Sequence, residues 1–169
     1  MEPRLCRRDD FTVVGMGAHF TPETRPGIGD LWQKFAGRLG EISRRRGTLS
    51  FGICLDADTT CGDAPGFIYV AAVEVEGIEH IPPGMQALSI PANSYAVFTW
   101  NGHISGFPDF ITAVWAHHLP AAHLDPIRAP DFELYDERFD PLTGLGTVEV
   151  WIPVPQRAAP AGVGGSGAR

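Results

Sequence analysis

The chain has 169 residues and a formal charge of −7, from 13 Lys and Arg against 20 Asp and Glu. That length fits one domain, or two small halves sharing a core, and the apolar content of 44% excludes disorder over most of it. The acidity argues against direct nucleic-acid binding, whose affinity rests on concentrated positive charge, and permits cationic small molecules as partners. No run of about 18 uncharged apolar residues occurs, so nothing is expected to span a membrane. Residues 1–8 read as an N-terminal extension: Arg4, Arg7 and Arg8 are followed by no apolar stretch, unlike a signal peptide. Cys6, Cys54 and Cys61, odd in number and irregularly placed, fit reduced thiols in a cytoplasm.

Phe11 to Phe20 reads as a strand, and Thr21 to Gly29 as a loop punctuated by Pro and Gly. Asp30 is a good helix cap, and Leu31, Phe35, Leu39 and Ile42 follow at helical spacing. That helix is expected to end near Gly47, with Arg44, Arg45 and Arg46 complementing its dipole. Leu49 to Leu55 is a second strand, and Phe67 to Val75 a third, with Phe67, Tyr69, Ala71, Val73 and Val75 on one face. After a break at Pro82-Pro83-Gly84 the pattern restarts. Gln86 to Ile90 and Ser94 to Trp100 are strand-like, and a short helix follows Pro108 through Phe110, Ile111, Val114 and Trp115. Phe132 to Tyr135 is the next strand, Asp136 to Gly146 a loop, and Thr147 to Val154 the last strand. Residues 156–169 are Gly-, Ala- and Pro-rich and read as a disordered tail.

Strand–helix–strand–strand thus occurs twice, over about 11–76 and 86–154. Phe51 and Phe132 lie 81 residues apart, Phe67 and Thr147 lie 80 apart, and a near-constant offset points to internal duplication. The expected fold is α+β: a duplicated β-α-β-β unit forming one antiparallel sheet, with two helices on one face and a central ligand cleft. In the strand Asp131-Phe132-Glu133-Leu134-Tyr135, Phe132 and Leu134 point one way while Glu133 and Tyr135 point the other. One face therefore carries a carboxylate beside an aromatic ring. At the repeat offset the counterpart of Glu133 is Gly52 and that of Tyr135 is Cys54, small residues that leave room for a guest.

The segments Ile90-Pro91-Ala92, Tyr95-Ala96-Val97-Phe98 and Gly102, then Pro130-Asp131-Phe132-Glu133-Leu134-Tyr135 and Val150-Trp151-Ile152-Pro153-Val154, stand in an order that resembles the GyrI-like small-molecule-binding family. That family includes the effector-binding domains of AraC- and MerR-type transcription activators. Gly77-Ile78-Glu79 and Pro83-Gly84-Met85 fit the same pattern. The resemblance covers about Phe11 to Val154. It implies a cleft for bulky aromatic or cationic compounds, with Glu133 as electrostatic anchor and Tyr69 and Trp151, with Tyr95 and Trp100, lining it. It also implies a stand-alone receptor for drug sequestration or self-resistance. The alternatives are a hydrolase that opens the cyclopropane ring of DNA-alkylating antibiotics, or an inhibitor of a partner such as DNA gyrase. No cofactor is implied, and a homodimer stays open.

In such a site aromatic rings bind a cation through their quadrupoles, at roughly 0.5–2 kcal/mol per ring. Burial raises a carboxyl pKa, which would also suit Glu133 to acid–base work, with Tyr69 or Tyr135 donating to a leaving oxygen. Other constellations carry less. Asp56 to Phe67 lacks the Gly and the bidentate Glu of a calcium loop. His117, His118 and His123 have no zinc spacing, and Thr99, His103 and Ser105 form no triad. Cys54 reads as a small packed residue without a flanking base. Trp32 and Trp115, on helices, read as helix–sheet packing.

Overall fold

The computed structural model describes residues 1–56 and 66–156. All but the ends of the Asp56–Gly66 loop, and the expected tail beyond Gln156, lie outside the described residues. Within them eight strands form one sheet: β1 (Arg4–Arg8), β2 (Phe11–Phe20), β3 (Arg45–Asp56), β4 (Phe67–Val75), β5 (Gln86–Ile90), β6 (Asn93–His103), β7 (Asp131–Asp140) and β8 (Leu145–Val154). The order is β1-β6-β8-β7-β3-β4-β2-β5, and every neighbouring pair is antiparallel. Read inward from its two ends the order is symmetric, with β1 matching β5, β6 matching β2, β8 matching β4, and β7 meeting β3 in the middle. This is the duplicated α+β fold that the repeat predicts.

The leading strands of the halves are exchanged. β1 pairs with β6 of the second half and β5 with β2 of the first. The expected N-terminal extension is therefore part of the sheet from Arg4 to Arg8. Its alternation is masked because an edge strand rich in Arg has little to bury. Only Asp9 and Asp10 join β1 to β2, although five strands separate the two in the sheet. In a flat sheet that gap would be ~29 Å, at about 4.8 Å per strand. Three Cα–Cα steps reach at most ~11 Å. The sheet must curl, and one of its faces closes on itself.

That closed face holds Phe11, Phe51, Ile53, Tyr95, Phe132 and Trp151 in one apolar cluster. Arg8 reaches over it, with its guanidinium 4.3 Å from the Phe11 ring centroid and 3.0 Å from Glu74. The other face carries both helices. α1 (Ile28–Ala36) buries Leu31 and Phe35 against Val14, Tyr69, Ala71 and Val73. α2 (Phe107–Ala113) buries Phe107 and Phe110 against Phe98, Val148, Val150 and Ile152. Each such large apolar side chain stabilises the fold by about 1.5–3 kcal/mol.

Three boundaries depart from the sequence reading. α1 starts at Ile28, with Asp30 inside its first turn rather than at the cap, and it stops at Ala36. Gly37 and Gly40 propagate a helix poorly, so Leu39–Glu41 tightens into a 3-10 turn and Arg44 takes a positive φ of 55°. Arg45 and Arg46 then open β3, and the cations are spent on Glu79 and Glu74 rather than on a helix end. Finally, the loop expected after Asp136 is strand as far as Asp140. Arg138, bonded to Asp136 and Glu149, keeps this charged stretch on β8.

Candidate functional site

Between the N-terminal ends of α1 and α2, over the β3–β7 junction, lies a cleft of about 540 Å³. The alternation along β7 sends Phe132 and Leu134 into the closed face and turns Glu133 and Tyr135 toward this cleft. Tyr69 of β4 reaches the same point. Tyr69 donates a hydrogen bond to Glu133 Oε2 at 2.6 Å, and Tyr135 donates to the same oxygen at 2.9 Å. Among the described residues no ion pair reaches this carboxylate, and no hydrogen bond is made to its Oε1. Burial pushes the Glu133 carboxyl above the usual carboxylate range, an effect the two hydroxyls and the charge of Arg25 oppose. The side chain is half-buried, facing the cleft. Burial likewise raises both phenols, which stay protonated and act as donors.

Gly52 pairs across the strands with Glu133, the two lying 81 residues apart on the symmetry axis of the duplicated sheet. Its role differs from the expected one of leaving room for a guest. A Cβ there would overlap the Tyr69 hydroxyl and sit 2.7 Å from Glu133 Oε2, so the missing side chain is what lets the phenol meet the carboxylate. Cys54 also lines the cleft and pairs across the strands with Asp131. Burial and the neighbouring Asp131 and Glu133 push its thiol well up, which keeps it protonated and poorly nucleophilic.

The aromatics divide differently from the sequence reading. Trp32, expected to pack helix on sheet, lines the cleft and donates its indole N–H to Tyr69 at 2.9 Å. Its ring also meets Tyr135 edge-on, with centroids 5.2 Å apart. Trp115 likewise lines the cleft and is 41% exposed. A π-helical turn, Val114–His118, follows α2 and shifts the phase that the 3.6 period assumes. Conversely, Tyr95 and Trp151 do not line the cleft. Both sit in the closed-face cluster against Phe132, Tyr95 edge-on at 5.3 Å and Trp151 stacked at 5.5 Å. β6 and β8 are buried on both faces, so alternation along them could not say which face was which. Trp100 packs on Phe110 beneath α2, away from the cleft. His103 and Ser105 hydrogen-bond each other locally where the 3-10 turn Ile104–Gly106 begins.

Arg25, Ile104 and Phe107 also line the cleft, and α2 forms one of its walls, none of which is expected from the sequence. One signal could have found them. Ile28, Gly29 and Trp32 on one wall stand 79 residues from Phe107, Pro108 and Ile111 on the other, close to the repeat offset.

No cluster of His, Cys, Asp or Glu suited to a metal ion occurs among the described residues, and no helix there is long and apolar enough to cross a membrane. The family described as the GyrI-like small molecule binding domain matches residues 1–155. The transcriptional regulator BrlR of Pseudomonas aeruginosa is 36% identical over 156 residues, covering 91% of this chain and 56% of BrlR, so the chain spans little more than half of that relative. Among solved structures, SAV2435 bound to tetraphenylphosphonium superposes with a TM-score of 0.74 at 20% identity, over 92% of this chain and 94% of that one. The EcmrR C-terminal domain superposes with a TM-score of 0.57 at 11% identity, over 92% and 98%, a likeness of fold alone. A match that takes in the whole sheet, both helices and the cleft decides the family: this chain belongs to the GyrI-like small molecule binding domains.

Proposed function

We propose that the protein captures bulky aromatic cations in the α1–α2 cleft, with Glu133 as the anchor, in drug sequestration or self-resistance. The observation that carries this reading is the state of the carboxylate. It is desolvated, held through Oε2 by two neutral hydroxyls, and unmatched by a direct ion pair among the described residues. A charge removed from water without a partner is costly, and a cation entering beside Oε1 would offset that cost. Trp32, Tyr69, Tyr135 and Trp115 supply ring faces and edges around the path of such a guest. The tetraphenylphosphonium carried by the SAV2435 neighbour has this chemistry and is a suitable probe.

The test is Glu133→Gln, which keeps shape and removes charge. Tetraphenylphosphonium binding, followed by quenching of tryptophan fluorescence, is expected to weaken roughly 10–100-fold, the worth of one charge-assisted contact. Wild-type affinity should fall as pH drops through the raised pKa of Glu133, because only the ionised form attracts the cation. The Gln variant should lose that dependence. Equal affinity in the two proteins would reduce Glu133 to a wall residue.

The same free Oε1 supports a second reading, cyclopropane hydrolysis. There Glu133 would take a proton from water as its oxygen attacks the ring methylene. The breaking carbon–carbon bond would deliver its electron pair to the conjugated carbonyl, whose oxygen then takes that proton back from Glu133. Incubation with a cyclopropane-bearing alkylator separates the readings: a product heavier by one water supports hydrolysis, and saturable binding with unchanged substrate supports capture alone.

A further inference from the structure

Trp32 belongs to α1, yet its indole N–H makes its hydrogen bond at the centre of the sheet. The indole N–H is a donor and nothing else, so its 2.9 Å bond to Tyr69 makes that hydroxyl an acceptor there. The one proton of Tyr69 is then directed to Glu133 Oε2, at the short distance of 2.6 Å. Tyr135 donates to the same oxygen. Two donors therefore run in one direction, Trp32 to Tyr69 to Glu133, and with Tyr135 two hydroxyls end on a single carboxylate oxygen, while Oε1 takes no hydrogen bond among the described residues. A hydroxyl that accepts a hydrogen bond becomes a stronger donor.

Resting on the capture reading above, we propose that Trp32 is a positioning residue: through Tyr69 it holds negative charge on Glu133, orients Oε1 for the guest, and ties the presence of α1 to the readiness of the anchor. Trp32 can do this only while α1 is seated. Its ring is held edge-on by Phe35 at 6.1 Å, by Tyr69 at 6.5 Å and by Tyr135 at 5.2 Å. A guest that pries the Trp32 ring away would loosen the carboxylate meant to hold it. The relay thus selects guests that slide past the indole over those that displace it.

The groups that face Glu133 from each packed element are Tyr69 of β4, Cys54 of β3, Asp131 and Tyr135 of β7, and Arg25 ahead of α1, while α2 contributes apolar side chains. Arg25 supports the ionised form and burial opposes it. The Trp32 effect must therefore be read by difference, with those residues unchanged.

Trp32→Phe keeps a ring near Tyr135 and deletes the N–H together with part of the indole's bulk. The carboxyl of Glu133 is followed by carbon-13 NMR titration of the ligand-free protein. Its pKa is expected to rise by about half a unit in the variant, as one neutral donor bond upstream is lost. The pH midpoint of tetraphenylphosphonium binding should rise by the same amount, whatever the change in the cleft wall does to affinity above that midpoint. An unmoved Glu133 titration would overturn the relay even if affinity changed, since a wall residue alters affinity through shape. If wild-type protein fails to bind the phosphonium at all, the capture reading falls, while the ligand-free titration still decides the relay. Should Trp32→Phe unfold the domain, Tyr69→Phe gives the second reading: with that link removed, the relay predicts a larger upward shift of the same titration, and no shift overturns it.

Discussion

The two halves of this protein use one backbone plan for opposite chemistry. In the first half, α1 and β4 bring Trp32 and Tyr69, whose N–H and O–H point at the axis between the halves. In the second, the corresponding wall is Phe107, Ile111 and Val150, without a polar side-chain atom. At the axis itself a glycine faces a glutamate, Gly52 against Glu133. A symmetric scaffold with unlike walls shows how duplication makes a pocket: identical packing builds the frame twice, and divergence at a few inward positions gives the cleft a polar and an apolar side. A guest with a charged centre and an extended apolar arm matches that division.

The largest effect of a single substitution is expected at the axis. Gly52→Ala pushes a methyl group into the Tyr69 hydroxyl. It should cost about 1–3 kcal/mol of stability by urea titration, as overpacked sites do, and abolish most phosphonium binding; a fully active, fully stable variant would show that the Tyr69–Glu133 contact is dispensable. Next in size, Tyr69→Phe should weaken every cation roughly 3–10-fold, tetramethylammonium and tetraphenylphosphonium alike, because it acts through the anchor. Ile111→Ala should weaken only the bulky cation, by about 3–10-fold for lost apolar contact, and leave tetramethylammonium unaffected. If both variants scale both cations equally, the walls do not divide the labour. The smallest effect on binding is expected from Trp151→Phe, behind the sheet: isothermal calorimetry should find affinity unchanged while thermal stability falls, since Trp151 packs on Phe132 and donates to Glu149.

Carboxyl chemistry also separates anchor from scaffold. The Glu133 pKa is raised in the fold, so the folded state holds this proton more tightly than the unfolded chain does. Its contribution to stability is therefore fully present below the unfolded value and is lost as pH rises through the folded one. Phosphonium should restore that loss, and Glu133→Gln should remove it. Thermal melts across that interval, with and without the probe, measure both.

Much of this was legible in the residues and the rest was hidden for identifiable reasons. The sheet face of β4 and the inward turn of Glu133 and Tyr135 follow from strict alternation, and the duplication follows from the offset. Where both faces of a strand are buried, as at Tyr95 and Trp151, alternation loses its meaning, and those residues belong to the closed face. The two helical tryptophans were hidden differently. Helical periodicity finds a buried stripe but not its margin, and Trp32 sits at the margin, one residue past Leu31. At Trp115 the period itself changes in the π-helical turn. Gly52 was singled out for the right position and the wrong tenant, because a sequence gives no hint that a tyrosine on the neighbouring strand will fill the gap.

The exchanged leading strands have a consequence for how the chain acquires its structure. Because β1 waits for β6 and β2 waits for β5, neither half can complete its sheet before the other is made. Contacts between residues such as Arg4 and Val97 span most of the chain, and closing so long a loop before any reward favours slow, all-or-none folding. A ribosome must release the chain as far as β6, about two-thirds of the domain, before the N-terminal strand has anywhere to go, and until β1 docks the β6 edge is open to strands from other molecules.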